Sequence, residues 1–412
     1  QQQRPYQETA CILQKPYGMI PTLIFWFALS ALLFSYLIFP AFLFLISRFR
    51  RISLQKFEHE DELPRISIIM AAYNEQDVLE EKLQSVYNTY YPTDKIEFLA
   101  GSDASTDRTN AILESAQLKY PSFRPFFFEK RMGKVRIINA LAEQAHGDIL
   151  VFTDANVMFH TDTLTELIAF FKDPRTGLVD SHMQHHGIDE SGISRQEHAY
   201  IAWEVTIKHL ESIVWGCMMG PFGGCFAVRK ELFTPVPDTF LVDDFFINMH
   251  VLQQGFYAVN SLTSRVTEDV SNDPWVEFRR KTRIAAGNFQ NLKYFRHMLL
   301  PTKGARALCF FAHKFLRWLG PLWIVLLLLS SFFLVGQGIF YQIVLLMVSA
   351  AIVLTLADFL LRKLRIHIVP LRFLNHFMVS NLALAAGCIQ FLKGIHSNVW
   401  QPTKRHQSGN RH

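Results

Sequence analysis

Apolar positions gather in long uncharged runs toward both ends of the chain and in short runs between them. No charged residue stands between Lys15 and Arg48, and residues 20–46 are rich in Leu, Ile and Phe. About 20 such residues cross a bilayer, so the spacing predicts a transmembrane helix over 20–46. A cleaved signal peptide fits poorly, because the run is too long and no small-residue cleavage site follows. A second uncharged run lies between Arg317 and Asp358, broken by Gly336-Gln337-Gly338. It predicts two helices within 318–361, joined by a tight turn. A shorter stretch, Phe377 to Leu392 within 373–393, either spans or lies in the interface.

Between the runs the pattern changes to alternating short strands and helices. Arg65 to Ala72 is a β-branched run after Pro64, a buried-strand signal. Val78 to Tyr87 has helical spacing, Ile96 to Ala100 reads as a strand, and a helix follows Thr109. Pro125 to Glu129 and Asp148 to Thr153 read as further strands, with a helix from Gly133-Lys134 to Ala145. This rhythm predicts an open, mostly parallel α/β sheet covered by helices. Ligands of such sheets bind outside the C-terminal strand ends. Asn74, Glu75, Asp103, Asp107, Asp154 and Asn156 all fall at those ends.

Composition sharpens the division. Of 412 residues 50% are hydrophobic and 19% charged, and the mean hydropathy is +0.13. That excludes a disordered chain and points to membrane helices plus a soluble domain. A net charge of +5 gives no case for nucleic-acid binding. The five scattered cysteines form no CxxC pair, so neither a disulfide framework nor a zinc site is indicated. Arg48, Arg50, Arg51 and Lys56 follow the first run, and Arg362, Lys363, Arg365 and Arg372 follow the third. By the positive-inside rule both sets are cytoplasmic. The expected organisation is an extracytoplasmic segment 1–19, a span 20–46, a cytoplasmic catalytic domain 48–300 and an interfacial segment 301–317. Two spans in 318–361, the apolar segment 373–393 and a tail 394–412 complete it. A tail carrying Lys404, Arg405 and Arg411 on the inside requires segment 373–393 to be in-plane or re-entrant.

The site chemistry is constrained by what is missing. No GxxxxGK[ST] occurs, and no GxGxxG follows the first strand, so neither phosphate cradle is supported. Carboxylates on strand ends with Lys and Arg nearby suit a diphosphate held by a divalent metal, Mg2+ or Mn2+. The order AAYNE, SDASTDRT, GK, TDAN, VDD, RKTR then resembles the membrane-embedded family 2 glycosyltransferases of GT-A fold, which are related to polysaccharide synthases. The resemblance covers about Pro64 to Leu292.

That resemblance implies roles at matching positions. Ala72, Tyr73 and Glu75 would contact the nucleotide base, and Asp103 the uracil or ribose; capping the next helix is the competing role for Asp103. Lys134 would stand beside the donor. Asp154 would hold the metal, with Asn156 a neutral ligand or a spacer in a DAN variant of the DxD motif. Asp244 would be the general base, preceded by Val242-Asp243 where the family has Thr-Glu, with Asp243 on the acceptor side. Gly223 and Gly224, within Gly220-Pro-Phe-Gly-Gly-Cys225, would lie near the acceptor. Arg283, and Arg280 where the family has Gln, would hold the donor diphosphate; a basic lipid-facing helix is the competing role. Ile284 replaces the family's Trp, which argues against processive synthesis. Glu204 and Lys208 are expected to pair at i,i+4 in a structural role, and His182, His185 and His186 to be solvated in a loop or strand edge. The resemblance implies an inverting transferase in cell-surface glycan synthesis. It would take a UDP-linked sugar to a lipid, lipid-linked or polysaccharide acceptor at the cytoplasmic face of a membrane. The departures at Val242, Arg280 and Ile284 leave a degenerate scaffold subunit as the alternative.

Overall fold

The computed structural model describes residues 18–58, 62–186, 194–269, 273–364, 368–395 and 398. The segment before residue 18 and the tail from 399, Arg365 and the side chains of Arg362, Lys363, His185 and His186 lie outside this description. Eight strands form one sheet: β1 Ile66–Ala72, β2 Ile96–Asp103, β3 Phe123–Phe128, β4 Ile149–Thr153, β5 Val157–Phe159, β6 Thr176–His186, β7 Cys225–Arg229 and β8 Tyr257–Asp269, in the order β3-β2-β1-β4-β7-β6-β8-β5. β3, β2, β1 and β4 run parallel, as do β6 and β8, while β7 is antiparallel to β4 and β6 and β5 to β8.

The continuous apolar run of β1 has a plain cause: it is covered on both faces. Ile66, Ile68 and Met70 point into a core filled by Leu79, Leu83 and Val86 of helix Leu79–Tyr87 and by helices Thr109–Lys119 and Thr163–Ile168. Ile69 points the other way, into a core with helices Lys134–Gln144 and Asp243–Gln253. The three histidines lie on β6, paired in register with β8, rather than in a loop.

Among the described residues, two helices are long and apolar enough to cross a membrane, Met19–Ile46 and Ile339–Leu361. The first rises about 42 Å at about 1.5 Å per residue, and it loosens into a π turn at Phe34–Ile38. Pro40 follows that turn; its missing N–H and its ring conflict with the carbonyl four residues back, at Tyr36. The segment expected as a span from Trp318 differs. Helix Gly320–Phe333 is bent by 63° from helix Ala305–Trp318, and the two pass as one broken span or a re-entrant pair. Helix Val369–Lys393, which includes the fourth apolar stretch, packs along helix Pro274–Tyr294; Gly387 lies against Ala285.

Candidate active site

The loops after β1 and β2 are tied to each other before they reach any ligand. Asn74, at φ +53°, donates its backbone N–H to Ser105 Oγ at 3.2 Å and accepts from the Thr106 N–H at 2.8 Å. Glu75 N–H donates to Thr109 Oγ1 at 2.9 Å. Asp107 accepts from the N–H groups of Gln76 and Thr109, so it braces the start of the helix that follows. Ala72 ends β1, buried and in register with Ser102.

Asp103 neither caps that helix nor stands open. Its carboxylate is fully buried and accepts from Arg131 Nε at 3.0 Å, from Gly133 N–H at 3.1 Å and from Met132 N–H. It therefore organises the turn that launches Lys134. The Arg131 guanidinium lies 3.2 Å from the centroid of the Tyr73 ring, joining this turn to the end of β1.

Lys134, at the start of helix Lys134–Gln144, is the centre of the charged cluster. Its Nζ stands 3.0 Å from Asp154 Oδ1 and 3.5 Å from Asp243 Oδ2. Burial alone would lower its pKa, but Asp154, Asp243 and Asp244 raise it above the ordinary lysine range. Asp154 follows β4 directly, its N–H donating to the Gly224 carbonyl at 3.1 Å. Asn156 is turned toward β8, where its Nδ2 donates to Glu268 Oε1 at 2.9 Å.

Helix Asp243–Gln253 has Val242 at its N-cap. Asp243 and Asp244 thus sit in the first turn, where the helix dipole favours carboxylates. Burial and the neighbouring Asp243 push Asp244 up to about 6, against the lowering effect of Lys134. Gly223, at φ +85°, passes so close that a Cβ there would lie 2.6 Å from Asp244 Oδ2. A side chain would displace the carboxylate, which is a physical reason for glycine at this position.

Helix Pro274–Tyr294 grips the segment leading into Asp243. Gly287 allows the approach: a Cβ there would meet Val242 Cγ2 at 2.5 Å. Gln290 Oε1 accepts from Leu241 N–H at 3.1 Å, and Asn291 Nδ2 donates to the Val242 carbonyl at 3.2 Å. Arg283 Nη1 reaches the Leu241 carbonyl at 3.4 Å, within the electrostatic reach of Asp243, Asp154 and Asp244. Arg280 pairs with Glu277 on its own helix at 3.4 Å. Beside Arg283, an open cavity of about 610 Å³ is lined by Trp275, Phe278, Arg279, Thr282, Arg283 and Gln390.

Several residues at this site escape sequence reasoning. The helical pair Glu204 and Lys208 separates. Glu204 turns to His313, Lys314 and Arg317 of helix Ala305–Trp318, while Lys208 lies 3.5 Å from the Phe222 ring centroid. Asp180 on β6 is fully buried and accepts from Phe222 N–H at 3.4 Å. Burial pushes Asp180 up and Lys208 down, each against the pull of the other's charge. The signal for Lys208 was its place on the same helical face as Glu204 and Glu211; nothing in the pattern singles out Asp180. Lys82, also fully buried, lies under β4. Its signal was spacing, since Leu79, Lys82, Leu83 and Val86 share one face of their helix.

Comparison with known proteins places this arrangement. Residues 67–234 match Glycosyl transferase family 2. A probable glycosyltransferase, YdaM, from Bacillus subtilis is 24% identical over 250 residues, 56% of this chain and 57% of the relative. A beta-monoglucosyldiacylglycerol synthase from Synechocystis is 31% identical over 118 residues, 28% of this chain and 25% of the relative. The chain thus spans about half or less of the length of these relatives. The solved structure of a mannosyltransferase from Pyrobaculum calidifontis, in complex with GDP-Man and Mn2+, superposes with a TM-score of 0.66 at 20% identity, covering 90% of this chain and 98% of that one. With its mostly parallel sheet and its acids at the strand ends, the segment from residue 67 to residue 234 is a glycosyl transferase family 2 domain on a GT-A fold.

Proposed function

We propose that this chain is an inverting glycosyltransferase that moves a sugar from a UDP-linked donor to a lipid, lipid-linked or polysaccharide acceptor. The observation that carries the reading is the convergence of Asp154, Lys134, Asp243 and Asp244 at the end of β4 and the start of helix Asp243–Gln253. Asp244 takes the proton of the acceptor hydroxyl as its oxygen attacks the anomeric carbon. A carboxylate with a pKa raised toward neutrality suits that task better than an ordinary aspartate. The sugar–phosphate bond breaks on the opposite face, and the nucleoside diphosphate departs. Lys134 and Arg283 offset the charge that grows on it. Ala72, Tyr73 and Glu75 line the donor's nucleoside end, with Arg131 laid over Tyr73.

The residues present fit a divalent cation. Asp154 keeps its carboxylate partly exposed, and Asp154 Oδ1 and Asp243 Oδ2 both face the single ammonium of Lys134, at 3.0 and 3.5 Å, where oxygen ligands for a cation would stand. No group of three or more His, Cys, Asp or Glu side chains forms a metal cage among the described residues. Mg2+ or Mn2+ would therefore share Asp154 with donor phosphate oxygens, the usual arrangement for such ions. When bound, the ion supplies further neutralisation of the diphosphate. The Mn2+ and GDP-Man in the Pyrobaculum mannosyltransferase support a metal and a nucleotide-sugar, and the lipid product named for the Synechocystis relative supports a lipid acceptor.

A membrane location rests on the two apolar helices, whose Leu23, Phe27, Leu37, Leu346 and Val353 are exposed. Arg48 and Arg51 after the first helix support a cytoplasmic catalytic domain, by the positive-inside rule. The test is release of nucleoside diphosphate by the purified chain with Mn2+ and a panel of UDP- and GDP-sugars. Release from at least one UDP-sugar is expected; none from any donor would leave a scaffold and end the enzyme reading.

A further inference from the structure

One buried lysine has no part in the chemistry above. Lys82 is fully buried. Its Nζ donates to Thr153 Oγ1 at 2.8 Å and to the Val157 carbonyl, and it lies 3.7 Å from the centroid of the Phe159 ring. Thr153 and Val157 flank the Asp154–Asn156 turn. A single side chain thus holds both ends of the segment that presents Asp154. The same Thr153 hydroxyl contacts the Gly224 carbonyl at 3.2 Å, which also accepts from the Asp154 N–H at 3.1 Å. The tie therefore extends from helix Leu79–Tyr87, through β4, to the loop that abuts Asp244.

Packing does not call for a charge here. Leu79, Leu83 and Val86 already fill this face of the helix. A buried lysine is expensive to desolvate, which lowers the Lys82 pKa to about 7, and replacing such a group by an apolar one of similar volume is often neutral or stabilising. A lysine retained in this place makes sense through what it orients.

We propose that Lys82 is a positioning residue, whose two hydrogen bonds fix the Asp154–Asn156 turn and thereby aim Asp154 at the donor diphosphate and its cation. The consequence for binding rests on the donor reading above; the effect on the turn does not. The test uses the full chain in detergent as wild type, Lys82→Met, Thr153→Val and Thr153→Ser. Hydrogen exchange is followed by mass spectrometry, and Mn2+-dependent UDP binding by calorimetry.

In Lys82→Met, exchange of the amides of residues 154–157 is expected to rise about tenfold, with β1 unchanged and Tm held or raised. The Kd for UDP with Mn2+ is expected to rise about tenfold, the scale of one lost charge-assisted hydrogen bond. Thr153→Val should follow Lys82→Met, Thr153→Ser should stay within about twofold of wild type, and the double variant Lys82→Met/Thr153→Val should be no worse than either alone. Unchanged exchange at 154–157, or equal acceleration across the whole sheet, would overturn the proposal. If Lys82→Met does not fold, the Thr153 pair makes the same comparison. A wild type that binds no UDP with Mn2+ refutes the donor reading, and the exchange data still decide the role of Lys82.

Discussion

Asp244 can accept a proton only when ionised, and its pKa is raised to about 6 by burial and by Asp243. The rate should hold above that value and fall about tenfold per pH unit below it, as for any required base. Lys134 is shifted the opposite way, upward, and stays charged as the pH rises through neutrality. A pH profile of kcat/KM with its acid limb near 6 checks both; a flat profile down to pH 4.5 would contradict the assignment. Gly223→Ala places a Cβ at 2.6 Å from Asp244 Oδ2 and at φ +85°. It should cost about 1–2 kcal/mol of stability and lower kcat far more than that loss explains, as read from thermal melts beside turnover. The acids at the strand ends were legible because a polar residue after a buried strand has few structural reasons to be there. Asp180 was not, and Lys82 showed only through its spacing on an apolar helix face, because an isolated charge within an apolar pattern reads as solvated until its surroundings are known.

At the scale of elements, the boundaries that moved are those set by tertiary contacts. β2 runs on through Gly101 and Ser102 to Asp103, because β3 pairs with it to that point, Asp103 against Phe128. The turn and N-cap residues there had suggested an earlier end. The start of helix Asp243–Gln253 is held because helix Pro274–Tyr294 fixes Leu241 and Val242 by side-chain hydrogen bonds that local propensity does not contain. Asp103 serves the 131–133 turn, thirty residues away, a link that no spacing rule reveals. Asp103→Asn leaves the Arg131 guanidinium without its carboxylate and weakens the bonds from the Met132 and Gly133 amides. A stability loss of about 2–3 kcal/mol is expected, together with weaker UDP binding, since Lys134 departs from the same turn. Chemical denaturation and calorimetry would read the two effects separately.

Across the whole molecule, the α/β domain and the helix Ala305–Trp318 that follows it meet through charge as well as through apolar packing. Glu204 is bound by His313 at 2.8 Å, Lys314 at 2.5 Å and Arg317 at 3.0 Å, and His313 also meets Glu211 at 2.8 Å. Against burial, the hydrogen bonds and charges of these partners hold Glu204 well below the usual carboxylate range. Its contribution is therefore present above that range and is lost only as the pH falls through the lowered value. Glu204→Gln leaves buried cations uncompensated and should destabilise the chain by about 3 kcal/mol or more, seen as a lower Tm in detergent at neutral pH. The division into an apolar stretch at each end and a mixed α/β centre was legible from the distribution of charge alone. The 63° bend before Gly320 was not, since hydropathy counts residues and carries no direction. The most direct test of the central claim compares wild type with Asp244→Asn for sugar transfer and for UDP binding with Mn2+. The account predicts unchanged UDP affinity and a turnover reduced at least about a thousandfold, the scale expected for a lost general base. Near-normal turnover by Asp244→Asn would contradict it.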